Sequence, residues 1–399
     1  MMISSTAMEL EENRTDPSAT LVTKRTIENN EDSDSFMGSS MDVRKMMAMV
    51  GVFYWFIMTV IVVPTACVAT CWIFLCPIML FSMPLFNRLE HELCRLVNDH
   101  WVSNGQYVGL NVVEYGDDIE KYADKRCLLL SNHLGLVDHF CIMTSVHDKK
   151  SLAGKYLWVI FQIWKATPLG AMWLTHGNYF INGGAGKRAS AIQSFREHLE
   201  NKYWKHDYGW IVMYPEGSRL YLIRDAEVKF AEKNGFKPFV HCAHPRTGAA
   251  HAVLDVAGKD AKDNSLSRSG NPGPIEYIID CTLGYPKGKV ADMGQIMLGE
   301  WPDEDSTVAV HYRVYEAKPE FADEPTLRKW LYERYEEKDK LLAKFYETGK
   351  FPGEGRPVHF SLAKNLMVQV FWIALFYFHY NFWIRPLAGA ALRYLLALF

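Results

Sequence analysis

Hydrophobic residues are distributed along this chain at three densities. Residues 1–45 are polar, with nine acids against five bases and few large apolar side chains. Such a segment cannot bury enough surface to offset the entropy of ordering, so an acidic disordered tail is expected over 1–45. Met46 to Phe86 then reads MMAMVGVFYWFIMTVIVVPTACVATCWIFLCPIMLFSMPLF, without a charge. A bilayer span needs about 20 residues, so this run predicts a membrane segment over 46–86, either a hairpin turning near Pro64 or one span followed by an interfacial helix. It is too long for a buried core helix, and for a signal peptide it starts too far inside the chain. A second apolar run, Leu366 to Ile384, is rich in aromatic residues but interrupted by Gln369, His379 and Asn381. It predicts a C-terminal membrane segment over 366–399, as a span or as a helix lying in the interface.

Between the two ends, residues 88–360 alternate short apolar runs with helix-spaced ones, the pattern of an α/β domain. Strands are expected at Cys127–Leu130, Asn178–Ile181, Trp210–Tyr214, Pro238–Ala243, Ile275–Cys281 and Val308–Tyr315. Ile192, Phe195, Leu199 and Tyr203 recur at helical spacing and predict an amphipathic helix over 187–205. A second helix, near Pro325–Glu347, places Leu327, Trp330, Leu331, Leu341, Leu342 and Phe345 on one side and stops near Gly349 and Pro352. The stretch Asp255–Pro274 reads as an exposed loop.

Composition narrows the function classes. The net charge of −3 shows no basic excess, so no nucleic-acid partner is expected. The eight cysteines include no CxxC and no Cys/His pair at zinc spacing, which predicts reduced, core-forming thiols and no metal.

The candidate chemistry lies in SNHLGLVDHF, residues 131–140. With 14 His and 21 Asp in the chain, chance alone supplies about 0.7 H-x4-D pairs, so His133 and Asp138 need support from their surroundings. On one continuous helix, five residues turn through about 500° and the two side chains point apart. A strand ending near Ser131, a turn at Gly135 and a helix starting near Leu136 bring them together instead. Asp138 then fixes the imidazole tautomer and stabilises the imidazolium formed when His133 takes a proton. The bland alternative is a helix-capping Asp138 and a loop His133. A binuclear zinc signature fails because Leu134 and Leu136 stand where histidines would be needed, and no G-x-S-x-G elbow exists for a serine hydrolase. In WIVMYPEGSRL, residues 210–220, a strand runs into a turn of Glu216, Gly217, Ser218 and Arg219. Gly217 permits close backbone approach, consecutive amides can form an anion nest, and Arg219 can grip a phosphate with two donors. An ordinary turn with a solvated arginine is the alternative.

Taken in order, these blocks resemble the glycerolipid acyltransferases of the PlsC type. Asn132, His133 and Asp138 match the family's NH-x4-D block, and Pro215 to Arg219 match its P-E-G-[TS]-R block. GNYFING matches the second block at Gly177, Phe180 and Ile181, but Asn182 and Gly183 replace its acid and its arginine, which leaves phosphate contact by that block open; Lys187 and Arg188 are candidate substitutes. HPRTGA supplies the fourth block's proline, Pro245, and adds Arg246. Longer stretches, among them DCTLGYPKGK and WLYERYEEKDKLLAKFYETGKFP, are similar to the lysophosphatidylglycerol acyltransferases. The resemblance implies a mixed sheet flanked by helices. It also implies acyl transfer from acyl-CoA, as substrate and with no cofactor or metal, to the hydroxyl of a lysophospholipid at the endoplasmic reticulum membrane. His133 and Asp138 would be catalytic, while Glu216, Gly217, Ser218, Arg219, Phe180, Pro245 and Arg246 would bind substrate. Lys149, Lys150 and Lys155 are candidates for CoA phosphates or anionic headgroups, or belong to a solvated loop. Two other readings are a catalytically silent, lipid-binding membrane protein of the same fold, which the Gly183 departure supports, and an acyltransferase acting on monoacylglycerol.

Overall fold

Helix α1 (Val43–Val63) buries Ala48, Val52, Trp55, Met58 and Val62, one stripe at helical spacing, and leaves Phe53, Phe56 and Val60 exposed on the other side. The computed structural model describes residues 43–182, 185–259 and 273–398, so most of the expected acidic tail and of the 255–274 loop, together with Gly183, lie outside the described residues. The chain does not reverse at Pro64. It continues as a π-helix, Pro64–Leu75, whose looser turn accommodates a residue without an N–H. Reversal comes at the 3₁₀ turn Cys76–Leu80, after which Ser82 caps helix α2 (Met83–Tyr107) by accepting from the Leu85 amide at 3.3 Å. Trp55 Nε1 donates to the His100 carbonyl at 3.1 Å, tying the first apolar segment to α2.

The central domain is a mixed eight-stranded sheet with the order β4-β3-β5-β2-β6-β7-β1-β8. Its strands are β1 (Asn111–Gly116), β2 (Cys127–Ser131), β3 (Tyr156–Phe161), β4 (Tyr179–Ile181), β5 (Trp210–Met213), β6 (Tyr277–Gly284), β7 (Thr307–Glu316) and β8 (Arg356–Pro357). Helices α3 (Asp138–Val146), α4 (Pro168–His176), α5 (Arg188–His198), α6 (Leu220–Lys233), α7 (Thr247–Ala257), α8 (Met293–Met297) and α9 (Glu324–Thr348) connect and flank them. Strand β2, CLLLS, is buried at every position, as a strand covered on both faces must be. It pairs in parallel with β5, Cys127 opposite Trp210 through Leu130 opposite Met213. Parallel neighbours end at the same edge of the sheet, so the loops after β2 and β5 are delivered side by side.

Three strands, β1, β3 and β8, go beyond the pattern read from sequence, and one expected strand does not form. Pro238–Ala243 is irregular; Pro238 has no N–H for a ladder, and the amides of Val240 and His241 donate instead to Asp339 Oδ1 of α9, at 3.0 and 2.6 Å. The helix expected over 187–205 forms as α5 plus a π turn, Leu199–Tyr203.

At the far end, α10 (Leu362–His379) leads through a π turn, Tyr380–Ile384, into α11 (Arg385–Leu396). The polar residues that interrupt this apolar run have partners inside the protein. Asn365 donates to Gln106 Oε1 at 3.0 Å and accepts from Gln369 at 3.1 Å, and His379 Nε2 is hydrogen-bonded to Thr70 Oγ1 at 3.0 Å. Leu366, Met367, Val370 and Ile373 remain exposed. The stretches Val43–Leu80 and Leu362–Leu396 are each long and apolar enough to cross a membrane.

Candidate active site

The loop between β2 and α3 carries His133, and Asp138 is the first residue of α3. His133 Nδ1 lies 2.8 Å from Asp138 Oδ2. The same carboxylate oxygen accepts from the amides of Leu134 at 2.7 Å and Gly135 at 3.0 Å. Tyr285, just past β6, donates its hydroxyl to Asp138 Oδ1 at 2.6 Å. Asp138 thus points back onto the loop rather than capping its helix, and four donors hold it in place. A carboxylate at Nδ1 assigns the proton there and leaves the lone pair on Nε2. Among the described residues, Nε2 makes no hydrogen bond, and the His133 side chain keeps 14% of its surface open while Asp138 has none.

Neighbours fix the loop from both sides. The Asn132 side-chain amide reads the β6 backbone like a strand, donating to Leu283 O at 3.0 Å and accepting from Leu283 N at 2.7 Å. A Cβ on Gly135 would fall 2.4 Å from Val290 Cγ1, so a side chain there would have to displace Val290. The Tyr214 ring stacks on His133, with centroids 4.2 Å apart and planes 21° from parallel. His139, one residue beyond Asp138, sits among Trp158, Trp164, Trp173 and Tyr214. Burial, and then the neighbouring His133, pull its pKa down to about 3, so at neutral pH it is an uncharged aromatic ring, distinct from the pair beside it.

The turn after β5 meets this loop directly: the Leu220 amide donates to the His133 carbonyl at 3.0 Å, and Glu216 Oε1 accepts from the His133 amide at 3.2 Å. Glu216 is only 1% exposed, and the Gly217 amide is used within the turn, donating to Tyr214 O at 3.0 Å. The reading of Glu216 and the Gly217 amide as phosphate contacts does not fit this placement, because one faces inward and the other is committed. Both define the turn instead. Gly217 has φ +73°, and a Cβ there would lie 3.0 Å from Arg246 Nη1, so the Arg246 guanidinium rests over the turn. Pro245 is buried, Ser218 and Phe180 are half-buried and Arg246 is exposed. Arg219 donates to the Tyr221 hydroxyl at 2.8 Å. Among the described residues, none of Arg188, Arg219 and Arg246 forms an ion pair, and burial together with the charge of Arg188 lowers the pKa of Arg246.

A family model described as "Acyltransferase C-terminus" matches residues 304–372. The chain is 53% identical over 347 residues to "Putative 1-acyl-sn-glycerol-3-phosphate acyltransferase acl-12" of Caenorhabditis elegans, covering 87% of this chain and 88% of that one. It is 31% identical over 314 residues to "Acyl-CoA:lysophosphatidylglycerol acyltransferase 1" of Homo sapiens, covering 76% of this chain and 83% of that one. The chain belongs to the glycerolipid acyltransferase family.

In this glycerolipid acyltransferase the HDKKSLAGK lysines are occupied within the protein. Lys149 pairs with Glu114 at 2.9 Å, Lys150 with Asp124 at 3.1 Å and Lys155 with Asp207 at 3.0 Å. Sequence reasoning missed Tyr214 and Tyr285. The first adjoins the P-E-G-S-R block and was readable as a ring beside the site; the second lies 147 residues from Asp138 and carries no local signal. A small recess lies among Cys67, Leu93, Val97, Trp101, Met172 and Trp173, with Glu90, Asn98 and His176 also in its lining. Trp173 is shared with the shell around His139. Among the described residues, no group of three or more His, Cys, Asp or Glu is arranged to hold a metal.

Proposed function

We propose that this acyltransferase moves a fatty acyl group from acyl-CoA to the free hydroxyl of a lysophospholipid, lysophosphatidylglycerol or another lyso-glycerophospholipid, with His133 as general base. The observation that carries the reading is the placement of His133: its Nδ1 lies 2.8 Å from a fully buried carboxylate, while its side chain keeps 14% of its surface open. The acceptor hydroxyl gives its proton to Nε2 as its oxygen attacks the thioester carbonyl, and Asp138 stabilises the imidazolium. Collapse of the tetrahedral adduct breaks the C–S bond, and the leaving CoA thiolate takes the proton back from Nε2. No acyl-enzyme is needed, and acyl-CoA is a substrate rather than a cofactor.

Arg219, Arg246 and Arg188 supply the cations for the acceptor's phosphate, the last two standing in for the arginine that Gly183 replaces. These guanidiniums are open to solvent or partly so and form no ion pair among the described residues, which leaves their donors available to an anion. The two apolar segments support a location at a bilayer, which in this reading is that of the endoplasmic reticulum, where both substrates partition. Purified protein is to be incubated with labelled acyl-CoA and lysophosphatidylglycerol, lysophosphatidic acid or monoacylglycerol. Transfer to a phosphate-bearing acceptor, lost in His133→Ala, is the expected result. Equal turnover by His133→Ala would remove the base from the mechanism, and transfer to monoacylglycerol alone would remove the phosphate reading.

A further inference from the structure

The end of β6 reaches both ends of the NH-x4-D block. The β2–β6 ladder stops at Ser131 opposite Cys281, and where the loop departs the Asn132 side chain takes over the pairing through both backbone polar atoms of Leu283. Two residues on, Tyr285 gives its hydroxyl to Asp138 Oδ1 at 2.6 Å. The chain then covers the loop: Pro286–Gly288 makes a 3₁₀ turn, and Val290 packs over the turn at Gly135. Lys287 and Lys289 tether this cover to Asp303, at 3.1 and 2.6 Å.

Tyr285 is 1% exposed, and a phenol hydroxyl in such a place is costly unless it finds a partner. Burial, and then the Asp138 charge, push it well above the ordinary phenol range, so it stays a neutral donor. The two carboxylate oxygens of Asp138 are used differently: Oδ2 takes His133 Nδ1 and two amides, and Oδ1 takes the Tyr285 hydroxyl. Among the described residues, His133 and Tyr285 are the two side chains hydrogen-bonded to this carboxylate. The other titratable groups facing it act through space: Cys141 and His139 of α3, Cys281 of β6, Tyr214 and Glu216 after β5, and Tyr346 of α9. The Arg219 charge is felt at His139.

We propose that Tyr285 is a positioning residue for the His133–Asp138 pair: its hydroxyl holds Oδ1 so that Oδ2 faces Nδ1, and by sharing the carboxylate's charge it sets how firmly His133 holds a proton. The inference rests on the assignment of His133 as base; Tyr285 acts through Asp138 and touches no substrate. A carboxylate that gives part of its charge to a phenol has less left for the imidazolium. Without the hydroxyl, Oδ1 loses its one partner and the charge falls more fully on the ring. Both changes favour a proton on the pair, so the Nε2 lone pair becomes available only at higher pH. The hydroxyl thus frees the base of its proton at a lower pH than the His–Asp pair would reach by itself.

The test uses the full chain in detergent and reads His133 in two ways against pH. One is kcat/KM with lysophosphatidylglycerol as acceptor, whose acid limb reports the free base. The other is the rate of carbethoxylation of His133 by diethyl pyrocarbonate, followed by peptide mass spectrometry; it needs the neutral ring and no substrate. Tyr285→Phe removes one oxygen and keeps the ring. It is expected to move the acid limb of both profiles to higher pH by about half a unit to one unit, and to lower the plateau kcat about tenfold. In Asp138→Asn, which has no charge for the hydroxyl to share, adding Tyr285→Phe is expected to shift the limb no further. Val290→Ala loosens the same cover without touching the carboxylate and is expected to leave both limbs in place. Unchanged limbs in Tyr285→Phe, or limbs moved as far by Val290→Ala, overturn the proposal. So does a fall in kcat at every pH with both limbs in place, the mark of a tyrosine that only supports the fold. Should the unaltered protein acylate nothing, the assignment of function fails while the carbethoxylation profile still tests Tyr285.

Discussion

The His133 loop and the arginine rim lie at the same edge of one sheet, and they are built to opposite rules. At the base itself the polar groups are satisfied from within: Asp138 takes four donors, Asn132 takes both polar atoms of Leu283, and the imidazole Nε2 is left over. At the rim, Arg188, Arg219 and Arg246 have no ion partner among the described residues, and two of them repel each other. A proton-transfer group must be aimed before substrate arrives, so its shell is completed by the protein. A binding site for an anion, as proposed for the rim, is left incomplete, because the ligand is to complete it. The contrast separates the residues expected to govern kcat from those expected to govern KM.

His133→Ala deletes the leftover lone pair and is expected to reduce kcat by about 10²–10⁴-fold at nearly constant acceptor KM, measured by labelled acyl transfer. Asp138→Ala leaves the Leu134 and Gly135 amides unpartnered. We expect a kcat loss of about 10²-fold together with about 1–3 kcal/mol of stability, read by thermal denaturation in detergent. Arg219→Gln and Arg246→Gln attack the other region. Each is expected to raise the KM for a phosphate-bearing acceptor about tenfold, the loss of one charged hydrogen bond, to spare kcat and to flatten the dependence of KM on salt. If either instead lowers kcat alone, the division between the two regions fails.

His139→Phe should have the smallest effect on turnover, less than about threefold, since it swaps one uncharged ring for a somewhat larger one at a position outside the catalytic pair. Its signature is in stability. The folded ring has a pKa of about 3 against an ordinary 6.5, so the unfolded chain binds the proton first as pH falls. His139 therefore contributes stability above pH 6.5 that is lost progressively toward pH 3. His139→Phe is expected to unfold less readily than the parent protein in that acidic window, by denaturant titration at each pH.

The two regions were also unequally legible. H-x4-D forced a strand–loop–helix junction because no helix brings those side chains together, and the structure has that junction. Arg219 and Arg246 were readable from short blocks. Legibility ended where partners come from distant sequence: Tyr285 reaches Asp138 from the end of β6, and the inward turn of Glu216 is decided by an amide 83 residues away. Pro238–Ala243 read as a strand by its apolar residues, but Asp339 of α9 takes the amides a ladder would have used.

The hydrogen bond between Thr70 and His379 spans 309 residues. At about 5–20 residues per second of synthesis, roughly 15–60 s separate the appearance of its two halves. During that interval the first apolar helices exist without the face that later covers them. Thr70 must wait for its partner, and the two apolar segments mature together although one is made well before the other.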